Sequence, residues 1–209
     1  MTSQSFFWDR IATHYASQPI ADEATYQKKL GRTQQYLTPE SRVLEFGCGT
    51  GSTAIYHASK VERILATDIS DHMLNIARDK AKAAALDNID FEQSALMTID
   101  SPNESWDVVL GMSILHLLPD KDAHIRKVYE LLKPGGVFIS STACIGDMGA
   151  WFKFVAPIFK WTPFLPSVQV FGVESLKQSF IQAGFSIEYE WQPGPDSAVF
   201  LIARKPAPH

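Results

Sequence analysis

Cysteine is scarce: Cys48 and Cys144 are the only two in 209 residues, too few for a disulfide framework. Basic residues are not in excess either. Nineteen Lys and Arg stand against 23 Asp and Glu, a formal net charge of −4, which argues against an obligate nucleic-acid binder. Long apolar runs are missing as well. The most hydrophobic stretch, "VVLGMSILHLL", is too short to span a bilayer and contains a histidine, so it reads as a buried strand. The start, "MTSQSFFWDR", has no basic flank followed by an apolar segment, so no signal peptide is expected. These deficits lead to the expectation of a reduced, cytoplasmic protein with one sizeable core.

What is present is an alternation. Residues 1–40 read as helical, with "DEATYQKKLGRTQQYL" interrupted at Gly31. Short apolar runs follow: "RVLEFG", "RILATDI", "IDFEQSA", "WDVVLGMSIL" and "GVFISSTA". Between them lie segments of helical period. One starts at Asp71, with Met73, Ala77, Ala81 and Ala84 recurring; another starts at Asp120, with Ile125, Val128, Tyr129 and Leu132 recurring until "KPGG" stops it. Strands alternating with helices imply right-handed crossovers and a mostly parallel, doubly wound sheet. After a helix around Leu176, Phe180 and Ala183, "FSIEYEW" and "SAVFLIARK" are joined by the turn-rich "QPGPD", which predicts an antiparallel hairpin. The expected architecture is one α/β domain, residues 1–209, with seven strands and a helical cap at 1–40.

The first strand ends in "VLEFGCGTGSTA", residues 43–54. Glu45 precedes glycines at alternate positions, Gly47, Gly49 and Gly51. Such a turn leaves no side chain between the backbone and whatever approaches it. In a doubly wound sheet, ligands bind at the carboxyl ends of the strands, where a helix N-terminus also supplies N–H groups. The dinucleotide pattern G-x-G-x-x-G is not met, because its third glycine falls on Ser52. That weakens a nicotinamide oxidoreductase reading. A turn that binds nothing is the plain structural alternative.

With Asp68 closing the second strand in "ATDIS", the pattern resembles the class I S-adenosylmethionine-dependent methyltransferases, a Rossmann-like family. The likeness extends from about Trp8 to Lys205, through "SAL", "WDVVLGMSILHLLPD" and "LLKPGGVFISS". By these blocks it is similar to small-molecule methyltransferases of the quinone-biosynthesis type. The resemblance implies S-adenosylmethionine as cofactor and assigns residues to it. Gly47, Cys48, Gly49 and Gly51 would form the turn against the methionine moiety, and Glu45 would fix that turn or the amino group. Asp68 would accept both ribose hydroxyls, as a carboxylate with two oxygens can. Ile69 and Leu96 would sandwich the adenine, with Ser94 and Ala95 in contact with it, and Met73 would also belong to the cofactor-binding set. Ser94 stands where the family often has an acid. Gly111 and Met112 would lie beside the reacting methyl. Cys48 reads as a small filler rather than a nucleophile.

Methyl transfer to a hydroxyl, amine or acidic carbon also needs a proton acceptor. His116 follows the fourth strand and is the candidate base, since histidine titrates near neutral pH; the alternative is a loop histidine that only bonds backbone. Tyr15 in "ATHYAS" belongs to the helical cap that folds over the cofactor in this family, or else simply packs; His14 would face solvent. The spacing of His116, Asp120 and His124 suits metal ligands on one helix, but Pro119 interrupts it and Asp120 reads as an N-cap, so no metal is expected. The family's N-P-P-aromatic tetrad for nucleic-acid and glutamine acceptors is absent; "GMSI" stands there.

Residues 144–172 crowd Trp151, Phe152, Phe154, Phe159, Trp161, Phe164 and Phe171 with three prolines. They read as a lid over an apolar acceptor pocket, a satellite core or dimer contact, or, through Lys153 and Lys160 within 151–166, a membrane-surface contact. The expected activity is methyl transfer to a small apolar or aromatic acceptor. The rivals are a cofactor-binding module without turnover and a nicotinamide enzyme.

Overall fold

The computed structural model describes residues 3–147 and 168–207. The chain divides into two compact units, Met1–Ile99 and Asp100–His209.

The first unit opens with helices α1 (Ser3–Ser17) and α2 (Glu23–Gln34). Gly31 does not interrupt α2, as the sequence had suggested; a glycine in a helix interior costs only about 1 kcal/mol. Then come β1 (Arg42–Phe46), α3 (Ser52–His57), β2 (Arg63–Asp68), α4 (Asp71–Ala83) and β3 (Ile89–Gln93). β2 lies between β1 and β3, parallel to both. Val43, Leu44, Ile64 and Ala66 are fully buried, the continuous apolar pattern of parallel strands covered on both faces. α4 packs through Met73, Leu74, Ala77 and Ala81. β3 is largely exposed and carries an ion pair between Asp90 and Arg63, charge that blunts a free edge.

The second unit holds β4 (Trp106–Met112), α5 (Lys121–Leu131), β5 (Leu132–Thr142), α6 (Val173–Gln182), β6 (Ser186–Trp191) and β7 (Val199–Arg204). β4 and β5 are parallel, and β7 runs antiparallel to both β5 and β6. Asp120 caps α5 as expected, its carboxylate accepting the N–H of Ala123 at 2.9 Å. The helix stops at Leu131, so Leu132 and "KPGG" already belong to β5 rather than to a helix end. β4 ends at Met112 because Ser113 takes a positive φ of 57°. Val199 to Ala203 are all buried, and Phe138 stacks on Phe180 at 5.1 Å between ring centres.

The seven strands follow the order β3-β2-β1 in the first unit and β4-β5-β7-β6 in the second, parallel within each unit except for β7, the doubly wound pattern with a C-terminal antiparallel hairpin. Among the described residues no helix is long and apolar enough to cross a membrane. Trp151 through Phe164, the heart of the expected lid, lie outside the described residues. Phe171 lies inside them, with Lys121 Nζ over its ring at 5.4 Å.

Candidate active site

Parallel pairing brings the ends of β1 and β2 level, with Phe46 opposite Thr67. The turn after β1 therefore lies against the last residues of β2. Cys48 N–H donates to the Thr67 carbonyl at 3.0 Å, and Gly49 N–H donates to Asp68 Oδ2 at 2.8 Å. β3 ends at the same level, opposite Asp68, and Ser94 N–H reaches the Asp68 carbonyl at 3.1 Å. Three strand ends thus gather residues 47–51, 68–70 and 94–97.

Within the turn the glycines differ in their reasons. Gly49 has φ +53°, and a Cβ there would meet none of the described residues within 4 Å. Gly51 has φ +73°, and a Cβ there would lie 2.8 Å from Ala77 Cβ and 3.1 Å from the Phe91 ring. Gly51 lets α3 start and α4 pack, while Gly49 leaves space for an approaching group.

Asp68 is 9% exposed. Burial pushes its pKa up, and the N–H groups of Ser70, Gly49 and Ile69 pull it back. Each carboxylate oxygen that takes one of these bonds keeps a lone pair for a hydroxyl donor. Glu45 is buried beneath the turn and accepts the N–H of Ala54. Desolvation, aided by the negative charge of Asp68, raises its pKa to about 8, and Oε2 has no partner among the described residues. An orphaned acidic oxygen, an open glycine turn and a diol-sized acceptor suit the amino, methionine and ribose parts of S-adenosylmethionine.

Other expected residues sit less openly. Ile69 is half-buried, as are Ser94 and Ala95. Met73 and Leu96 are core residues, 2% and 3% exposed, so each offers little surface to a ligand; Met97 beside them is 48% exposed. Burial pushes the Cys48 thiol well above its ordinary pKa, in keeping with a filler. Tyr15 is exposed on α1, with the Trp8 ring edge-on at 6.3 Å.

In the second unit, Gly111 and Met112 pair with Ser140 and Ser141 at the end of β4. His116 follows in a single 3-10 turn, Leu115–Leu117. Its carbonyl accepts from Gln169 N–H at 2.7 Å. Among the described residues Nδ1 is buried without a partner, and desolvation lowers its pKa to about 4. The expectation that it titrates near neutrality is corrected: His116 is uncharged across the physiological range. His124 Nδ1 lies 2.6 Å from the Asp120 carbonyl, so that pair belongs to the α5 cap.

Sequence reasoning missed Asp9 and Ser70. Ser70 is the N-cap of α4, its Oγ accepting Met73 N–H at 3.1 Å, and the serine before an amphipathic run was the available signal.

Residues 43–136 match a family described as a methyltransferase domain. The demethylmenaquinone methyltransferase of Listeria welshimeri is 29% identical over 190 residues, covering 79% of this chain and 79% of that one. Two solved structures share the fold. The geranyl diphosphate C-methyltransferase of Streptomyces coelicolor, held with S-adenosyl-L-homocysteine, aligns with TM-score 0.74 at 11% identity, covering 88% and 79%. An S-adenosylmethionine-dependent methyltransferase from Mesorhizobium loti aligns at 0.67 and 21% identity, covering 83% and 94%. Residues 43–136 thus carry a methyltransferase domain, and the chain is similar in sequence to a methyltransferase and in fold to S-adenosylmethionine-dependent ones.

Proposed function

We propose that this cytoplasmic enzyme methylates a small acceptor with an apolar or aromatic body, and that demethylmenaquinone is the first acceptor to test. The observation that carries this is the similarity to demethylmenaquinone methyltransferase over 79% of both chains. The aromatic composition of residues 144–172 agrees with an acceptor recognised by burial and shape. A nicotinamide reading gains no support from these relatives.

When bound, S-adenosylmethionine supplies an electrophilic methyl on a sulfonium, chemistry that belongs to the cofactor. The chain's task is alignment, which can account for most of the rate. In this reading Asp68 accepts from the ribose hydroxyls and Glu45 Oε2 from the amino group. Gly47, Gly49 and Gly51 admit the methionine portion, and Ile69, Ser94, Ala95 and Leu96 flank the adenine. Gly111 and Met112 border the methyl. His116 takes the acceptor's proton; being neutral above about pH 4, it is ready to accept at working pH. Tyr15 reaches the methionine carboxylate or the acceptor.

The test is incubation with methyl-labelled S-adenosylmethionine and demethylmenaquinone, with product read by mass spectrometry. Labelled product supports the proposal. No transfer to demethylmenaquinone, nor to a panel of quinols and phenols, by protein shown to bind the cofactor would overturn it.

A further inference from the structure

Asp9 is not placed as a surface charge. On α1, Ser5 and Ala12 are buried at 4% and 1% exposure, and Asp9 lies between them on the same helical stripe. These small side chains mark the stripe by which α1 packs on α4. A carboxylate on a packing face must find donors. Asp9 Oδ1 accepts from Ser70 Oγ at 2.6 Å and from His72 N–H at 3.2 Å. His72 Nδ1 also lies 3.0 Å from the Asp9 carbonyl.

Ser70 joins two carboxylates. Its hydroxyl serves Asp9, and its N–H donates to Asp68 Oδ1 at 2.9 Å. Fully buried, it cannot replace either partner with water. The first N–H groups of α4 are thereby shared out: Ser70 to Asp68, His72 to Asp9 and Met73 to the Ser70 hydroxyl. A helix N-terminus held from both sides fixes the rotation of the residue that orients Asp68 Oδ1.

We propose that Asp9 is a positioning residue for the cofactor: acting through Ser70, it orients the Asp68 carboxylate and docks α1 at the site, so that α1 docking and cofactor binding reinforce each other. The proposal rests on Asp68 as the ribose acceptor. Coupling of this kind is reciprocal. A ligand that pulls on Asp68 tightens Ser70 and Asp9, and removal of Asp9 loosens Asp68.

The test measures S-adenosyl-L-homocysteine affinity by calorimetry in the full chain for wild type, Asp9→Ala, Asp9→Asn, Asp68→Ala and the double alanine variant. Hydrogen exchange of α1 is followed with and without S-adenosyl-L-homocysteine. Asp9→Ala should weaken binding about five- to tenfold, the effect of one or two hydrogen bonds. Asp9→Asn, which keeps the acceptor oxygen, should restore most of it. Ligand should slow exchange in α1 of the wild type and not of Asp9→Ala. In the Asp68→Ala background, Asp9→Ala should add little, because its route is gone.

Weakened binding by Asp68→Ala, with no effect of Asp9→Ala on affinity or α1 exchange, would overturn the relay and leave the ribose assignment standing. Fully additive effects of the two alanines would also overturn it. Unchanged affinity in Asp68→Ala would remove the ribose assignment itself, and the relay with it.

Discussion

The main-chain N–H of Gly49 and the Asp68 carboxylate form one hydrogen-bonded unit at 2.8 Å, joining the turn after β1 directly to the acid that ends β2. Asp68→Ala should therefore cost cofactor affinity through the lost ribose acceptor and through a loosened turn. Hydrogen bonds to charged groups are worth roughly 1.5–3 kcal/mol, so the dissociation constant for S-adenosyl-L-homocysteine should rise on the order of tenfold or more. Calorimetry on the folded variant checks this, and an unchanged constant would sink the assignment.

Gly49 and Gly51 should separate binding from folding. Gly51→Ala forces a Cβ against Ala77 and Phe91 at a φ of +73°, and should destabilise by about 2–4 kcal/mol from strain and overpacking together. Gly49→Ala meets no neighbour among the described residues and should cost only about 1 kcal/mol for its left-handed backbone, yet weaken cofactor binding. Urea melts beside calorimetry would show the split; equal losses of stability would contradict it.

Glu45 should make the protein less stable as pH rises. Its folded pKa of about 8 lies above the ordinary 4.5, so its contribution is complete below pH 4.5 and is lost as pH rises through 8. Glu45→Gln keeps an acceptor for Ala54 N–H and cannot ionise. It should flatten the fall in unfolding free energy between pH 5.5 and 8.5, within roughly that window. A slope identical to wild type would show that Glu45 is already ionised.

His57 acts at the other end of the scale. It is fully buried with neither ring nitrogen partnered among the described residues, and burial lowers its pKa to about 4. The unfolded chain takes up this proton first, so stability is complete above pH 6.5 and is lost as pH falls toward 4. The shift corresponds to about 3 kcal/mol at most. His57→Leu should reduce the acid loss, leaving the share due to His116. Chemical melts from pH 7 to 4.5 decide it.

His116→Ala should lower kcat on the order of 10²-fold if His116 takes the acceptor's proton, with cofactor affinity little changed. Because its pKa is about 4, wild-type activity should show no His116-dependent break near pH 6.5. Unaltered turnover in the variant would reduce His116 to its backbone bond with Gln169.

Local pattern carried far into this protein. Apolar runs alternating with helical periods specified the order of strands and helices, because periodicity reports which faces are buried. The turn-rich link before Val199 specified the hairpin, and Glu45, the alternate glycines and Asp68 marked the candidate site, because a tight turn demands glycine whatever surrounds it. Asp120 announced the start of α5 through its own capping chemistry. Tertiary structure decided what depends on neighbours distant along the chain. Asp9 meets Ser70 across 61 residues, a contact that only the packing of α1 on α4 creates. Met73 and Leu96 turn inward, and Glu45 and His116 leave their ordinary pKa values, because desolvation belongs to the folded environment and not to the residue.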